Sequence, residues 1–219
     1  QIFDHGILID YDSTDYSVEI IKHYCPTWEI VTSRNRQFDA RKNDDEITDY
    51  ESKVHGWKIC LNTTEFIVGD FSVLDGTPNQ DLKIPCYIMI DTEPQNTNLS
   101  YDISLMKQKP FGVSYNESNP ITIERCCRAI HNKSSYNYPT GRHFIGATNT
   151  KLQVLWYGYS PLTDELMKRK LQIQNRIPES DKNQGFGHHH FTDETGLMAK
   201  YNRYLPLTVD LSVELNLDY

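Results

Sequence analysis

Apolar residues recur at every second position in short runs along much of the chain. Val18 and Ile20, Trp28 and Ile30, Phe66 and Val68, Tyr101, Ile103 and Leu105, then Leu152, Val154 and Trp156 all follow this pattern. Such alternation gives a strand one oily face and one wetted face. Segments rich in Gly, Pro, Asn, Asp and Ser separate the runs, at 74–81, 91–98, 116–120 and 132–141. Strands divided by turn residues, with few helical stretches between them, predict a mostly β fold. The expected architecture is an antiparallel β-sandwich or jelly roll with long polar loops and one or two short helices. There is no internal repeat and no clear linker, so residues 1–219 are expected to form a single β-rich domain.

The most regular alternation lies at the C-terminus, in LPLTVDLSVELNLDY. Leu207, Val209, Leu211, Val213, Leu215 and Leu217 fall on one face, and Thr208, Asp210, Ser212, Glu214, Asn216 and Asp218 on the other. That pattern predicts one long amphipathic strand. One helix is also expected, with Ser160 as N-cap and Pro161 in the first helical position. Asp164 and Glu165 suit its first turn, and the cations from Lys168 to Lys170 lie further along, as the helix dipole favours. Leu162, Leu166 and Ile173 would form its inner face, and Pro178 bounds it. Residues 15–24 are a candidate second helix.

Composition modifies this picture modestly. The hydrophobic fraction is 38%, and the difference from an average domain is made up by Asn, Asp, Ser, Thr, Tyr and Gln. Fourteen Tyr, eight Phe and three Trp nevertheless point to a folded core rather than a disordered chain. No apolar run approaches the ~20 residues needed to span a bilayer. The net charge of −8 argues against a general nucleic-acid-binding surface. The strongest basic stretches are Lys168–Lys170 and the group Arg34, Arg36, Arg41 and Lys42. Asp44, Asp45 and Glu46 follow the latter at once, which suggests a solvated mixed-charge loop.

The five cysteines, Cys25, Cys60, Cys86, Cys126 and Cys127, contain no C-x-x-C pair, so a zinc knuckle and a thioredoxin-type motif are both unsupported. Buried thiols, with one or two bridges at most, are the expected state. Acceptor sequons for N-glycosylation stand at Asn62, Asn98, Asn116 and Asn132, which favours a secreted or surface setting.

The sharpest chemical motif is ILIDYDST at residues 7–14. It resembles motif one of the haloacid-dehalogenase-like phosphatases, an apolar strand running into D-x-D-x-T. The resemblance implies Asp10 as nucleophile and Asp12 as general acid/base. It further implies Thr32 as a phosphate-binding hydroxyl, Lys53 or Lys58 as the neutralising cation, and Asp70 with Asp75 as magnesium ligands. Only seventeen residues separate Thr14 from Thr32. A parallel strand–helix–strand unit takes about 30 residues, so strands ending in acidic turns are the primary expectation.

A second motif, GFGHHHFTDETG at 185–196, places His188-x-His190-x3-Glu194 in a pattern that resembles the first metal motif of cupins. In a strand His188 and His190 would share a face, and with Glu194 they could hold a divalent metal. No histidine follows His190 to complete such a site, so a polar Gly-flanked loop is the main expectation. There is no G-x-S-x-G, no H-E-x-x-H and no phosphate-cradling loop.

These observations lead to three functional expectations. The first is a non-enzymatic structural protein that works by assembly with itself, such as a coat-forming, capsid-like subunit in a virion, with no cofactor. The second is an extracellular or surface glycoprotein that binds a protein partner through NKSSYNYPTGR, with Tyr136 and Tyr138 as contact residues. The third is the magnesium-dependent phosphatase.

Overall fold

The computed structural model describes residues 3–74, 79–93, 98–114 and 127–215. Two sheets organise it. The smaller pairs β1 (Ile7–Asp10) with β2 (Glu29–Thr32) in parallel, linked by helix α1 (Ser17–Tyr24). The larger contains seven strands. These are β3 (Lys58–Ile59), β4 (Glu65–Gly69), β5 (Asp81–Ile90), β6 (Phe111–Val113), β7 (Cys127–His131), β8 (Leu152–Tyr159) and β9 (Thr208–Asp210). All its pairings are antiparallel except that of β5 with β8.

Strand β5 is the organiser. Residues Asp81–Pro85 pair with β7, and Cys86–Ile90 pair with β8. Pro85 stands at the change of partner, where a residue without an amide hydrogen is tolerated in a ladder. Beyond it, Cys86, Tyr87, Ile88, Met89 and Ile90 are all buried, because this part of the sheet is covered on both faces. Ile88 and Ile90 meet Tyr159, Leu197, Tyr201 and Tyr204. Tyr87 and Met89 point the other way, into a cluster with Val68, Leu155, Tyr157 and Leu211. Burial of a large apolar side chain contributes about 1.5–3 kcal/mol, so these clusters dominate the stability.

The fold is thus mixed α/β around a largely antiparallel sheet. Helices are more numerous than the one or two expected. They are α1, α2 (Ala40–Glu51), α3 (Leu105–Gln108), α4 (Asp164–Gln172), α5 (Glu179–Asn183), α6 (Glu194–Tyr204) and α7 (Leu211–Glu214). No helix among the described residues is long and apolar enough to cross a membrane.

Helix α4 begins later than expected. Thr163, rather than Ser160, is its N-cap and accepts from the Leu166 amide at 3.1 Å. Leu166 is buried as expected, whereas Ile173 lies in a 3₁₀ turn that follows the helix. The candidate helix at 15–24 is present as α1 over Ser17–Tyr24, so the spacing of Val18 and Ile20 belongs to it rather than to a strand.

Three other expectations are corrected. The C-terminal alternation is not one strand. A 3₁₀ turn (Leu205–Leu207), the three-residue β9 and then α7 occupy it, while Leu217 lies outside the described residues. The Asp210 carboxylate accepts from the Ser212 amide at 3.0 Å and so caps α7, and cap chemistry overrides a period-two pattern here. Among the described residues of its apolar face only Leu211 is fully buried, and Val213 is exposed.

Tyr101 and Ile103 lie in a turn leading into α3, which Leu105 opens; the Gln108 side chain holds the turn by donating to the carbonyls of Ser100 and Ile103. Of the expected mixed-charge loop, Arg34 and Arg36 lie outside regular structure, but Arg41, Lys42, Asp44, Asp45 and Glu46 belong to helix α2, which is capped by Asp39 and buries Asn43, Asp44, Glu46 and Ile47.

Candidate functional site

The acidic residues near the N-terminus are placed by the parallel unit β1–α1–β2, which closes within residues 7–32. The crossover that the sequence spacing argued against therefore exists, because an eight-residue helix and short strands suffice. Asp10 ends β1 beside Thr32 of β2, and its carboxylate accepts from the Ser13 hydroxyl at 2.6 Å. Asp12 is exposed and has the left-handed φ of +66°, with Arg36 at 3.9 Å. Asp70 follows β4 and faces Lys151 at 3.5 Å. Asp75 lies outside the described residues.

Of the two candidate lysines, Lys58 is buried, and its ammonium donates to the carbonyls of Glu51, Val54 and Lys133. It is thereby a structural cation. Lys53 is exposed, near the Tyr50 ring.

No group of three His, Cys, Asp or Glu among the described residues could hold a metal ion. His188, His190 and Glu194 are accordingly not gathered as ligands. The histidines form a 3₁₀ turn instead of a strand, and Glu194 opens the first turn of α6. The rings meet locally, His189 tilted against His190 with centroids 4.0 Å apart and His190 edge-to-face with Phe38 at 5.9 Å.

The loop tyrosines expected as contact residues turn inward, Tyr138 only in part. Tyr136 is buried and stacks on His131 at 4.2 Å between centroids. The Tyr138 hydroxyl donates to Glu51 Oε1 at 2.8 Å, and His131 Nε2 lies 3.2 Å from Glu51 Oε2. Burial first, and then the Glu51 carboxylate, push the Tyr138 phenol far above its usual range, which keeps it a donor.

Arg128, Glu65, Arg142 and Asp44 extend this polar cluster between α2 and the large sheet. Burial pushes the Cys60 thiol up despite the nearby guanidinium of Arg142, so it is unsuited to act as a nucleophile. Cys25, Cys60, Cys86 and Cys127 carry thiols, while Cys126 lies outside the described residues.

Among the sequons, Asn62 and Asn98 are exposed and Asn116 lies outside the described residues. Asn132 is half-buried, and its side-chain oxygen accepts from the Gln80 amide at 2.6 Å, which ties it into the fold.

The feature least expected from the sequence is the outer face of α1. The helix buries none of its residues. Tyr16, Ile20 and Tyr24 recur every fourth position and are 79%, 53% and 71% exposed. Residues four apart lie one above another on a helix, so these side chains form one apolar stripe in water. A contiguous apolar patch of this kind marks an interaction surface more often than a lone exposed residue does. The signal was present in the sequence as the spacing 16, 20, 24, but the overlapping alternation of Val18 and Ile20 masked it.

No protein-family model matches the chain, and no curated protein matches it either.

Proposed function

We propose that this protein is a non-enzymatic structural subunit that works by associating with further copies of itself, as coat-forming proteins do. The observation that carries this reading is the exposed stripe Tyr16–Ile20–Tyr24 on a helix with no buried residue. The same helix supports a second copy as its occupant. Glu19 stands in the first turn and Lys22 and His23 in the last. An antiparallel copy would set each acidic end against the other's basic end, with the helix dipoles opposed. The finer architecture expected from the sequence, a sandwich or jelly roll, belongs to this same reading, since such folds are frequent in shells.

The test is light scattering after size exclusion across a range of protein concentrations, at moderate salt to screen the net charge of −8. The wild-type chain is expected to grow in mass with concentration. Ile20→Glu combined with Tyr24→Glu should remain monomeric with an unchanged circular dichroism spectrum. A strictly monomeric wild type would overturn the proposal.

A phosphatase of the haloacid-dehalogenase-like kind is the competing reading. The parallel β1–α1–β2 unit with Asp10 at the strand end favours it. Among the described residues no three acidic or metal-ligating groups converge to hold the magnesium ion that such chemistry uses, and Asp75 lies outside them. Turnover of para-nitrophenyl phosphate that disappears in Asp10→Asn would establish it over assembly.

A further inference from the structure

Arg142 is held inside the protein by one carboxylate. Its side chain is 14% exposed, and its guanidinium donates to Asp44 on α2. No other side chain among the described residues partners it, and its Nε is buried without a hydrogen bond. A dry guanidinium without a counter-charge is strongly unfavourable, whereas the same group is at ease in water. The inward position of Arg142 therefore depends on the charge of Asp44.

The backbone around Arg142 is fixed from the other side. Arg128 Nη1 donates to the carbonyls of Gly141 at 3.3 Å and Arg142 at 2.8 Å, and Arg128 is itself paired with Glu65. Gly141 and Arg142 both have left-handed φ, +81° and +59°. Loss of the Asp44 charge thus frees the Arg142 side chain while Arg128 keeps the loop backbone in place.

Asp44 is buried, and burial raises its carboxyl above the usual range although the Arg142 guanidinium opposes this. A carboxyl raised by the fold binds its proton more readily folded than unfolded, so protonation takes place within the native structure. Among the surrounding charges, Asp45 on the same helix raises Asp44 further. Arg142 also faces Cys60, Arg128 and Glu65, of which the last two cancel as a pair. Glu46 of α2 and Tyr11 lie on the β2 side, where Glu46 is engaged by Ser33, Arg34 and Asn35. His143 Nδ1 lies 3.3 Å from Arg128.

We propose that Asp44 and Arg142 form an acid-released latch between α2 and the 139–144 loop. With Asp44 ionised the guanidinium lies inside against α2; with Asp44 protonated it swings into solvent about the backbone pivot held by Arg128. The latch adds an exposed cation to the surface of the folded protein at acid pH. It is separate from the α1 stripe and does not depend on self-association.

Exchange of the Arg142 Nε hydrogen with solvent, followed by NMR on the full chain, tests this. Its protection should fall about ten-fold or more between neutral pH and about pH 4.5. Asp44→Asn keeps an oxygen for the Gly141 amide, which donates to Asp44 at 2.9 Å, but carries no charge. That variant should show the low Arg142 protection already at neutral pH, with the Gly141 amide still protected. The Tyr157 amide, bonded to the Thr64 carbonyl at 2.8 Å, reports the fold and should stay protected throughout. Arg142 protection that does not change with pH in the wild-type chain, or that is equal in wild type and Asp44→Asn, would overturn the proposal. So would a parallel loss at Tyr157 in the wild-type chain, which would show general opening rather than a released side chain.

Discussion

Arg128 on β7 and Glu65 on β4 form a buried ion pair between strands that do not hydrogen-bond to each other. Nη2 lies 2.6 Å from Oε1 and Nε 3.1 Å from Oε2, with side-chain exposures of 2% and 0%. The remaining guanidinium nitrogen donates to the carbonyl of Arg142 at 2.8 Å. Burial works against the Arg128 charge, but the Glu65 carboxylate outweighs it and raises the guanidinium above its usual range.

Because both charges are dry, removing one is far more costly than removing both. Glu65→Ala should destabilise the fold by about 3–5 kcal/mol by leaving a guanidinium uncompensated. The double variant Glu65→Leu/Arg128→Met should recover much of that loss, since two apolar groups of similar size replace the pair. Urea unfolding of the three proteins measures the difference. Equal losses in the single and double variants would show that the pair's shape, not its charge, matters.

The two tyrosines of the 132–141 loop should respond unequally to loss of their hydroxyls. Tyr138 donates to a carboxylate at 2.8 Å inside the cluster, so Tyr138→Phe should cost about 1.5–3 kcal/mol. Tyr136 reaches Asp81 only at 3.3 Å, and its ring stack on His131 survives the change. Tyr136→Phe should therefore cost under about 1 kcal/mol. Denaturant midpoints of the two variants give the comparison directly.

Acid sensitivity should be traceable to Asp81. The hydrogen bond from the Lys133 ammonium holds its carboxyl below the usual range, with the lysine charge adding to the effect. A folded-state value below the unfolded one means that the pair stabilises fully above the unfolded value of about 3.9 and is lost as pH falls through the folded value. The pair is partly exposed, so its contribution is under about 1 kcal/mol. Wild type should accordingly lose slightly more stability than Asp81→Asn between neutral pH and about pH 3. Asp44 has the opposite sign, since burial raises it despite Arg142. Its contribution falls as pH rises through its folded value and is present in both proteins, so the difference between them isolates Asp81.

The strands carrying Val68, and Leu152, Val154 and Trp156, were legible because apolar side chains there meet the core, although Phe66 of the first is exposed. Helix α2 was not, because its inner face is Asn43, Asp44 and Glu46, whose burial is made tolerable by partners distant in sequence. Glu46 accepts from the Ser33 hydroxyl at 2.7 Å and the Arg34 amide at 2.8 Å, and Asp44 from the Gly141 amide at 2.9 Å. No local periodicity encodes such contacts. The same holds for the Glu51–His131–Tyr138 cluster, whose members come together only through the fold. The C-terminal alternation misled for the converse reason, because a strict period of two survived in a segment whose backbone follows the Asp210 cap.

Backbone geometry at Gly69 should make it the least replaceable glycine at a strand end. Its φ is +117°, and an added Cβ would lie 2.0 Å from the Lys151 carbonyl oxygen. That oxygen is fixed, because it accepts from the Asp70 amide at 2.9 Å as β4 leaves its partner β8. The clash is with backbone, so no rotamer change relieves it. Gly185 offers the control, with a φ of +76° and nothing within 4 Å of an added Cβ. Gly185→Ala should show the conformational cost alone, about 1–2 kcal/mol. Gly69→Ala adds displacement of a strand end to that cost and should exceed about 3 kcal/mol. Thermal unfolding of the two variants separates the terms, since both carry the same methyl group at a positive φ and only one of them meets the neighbouring strand.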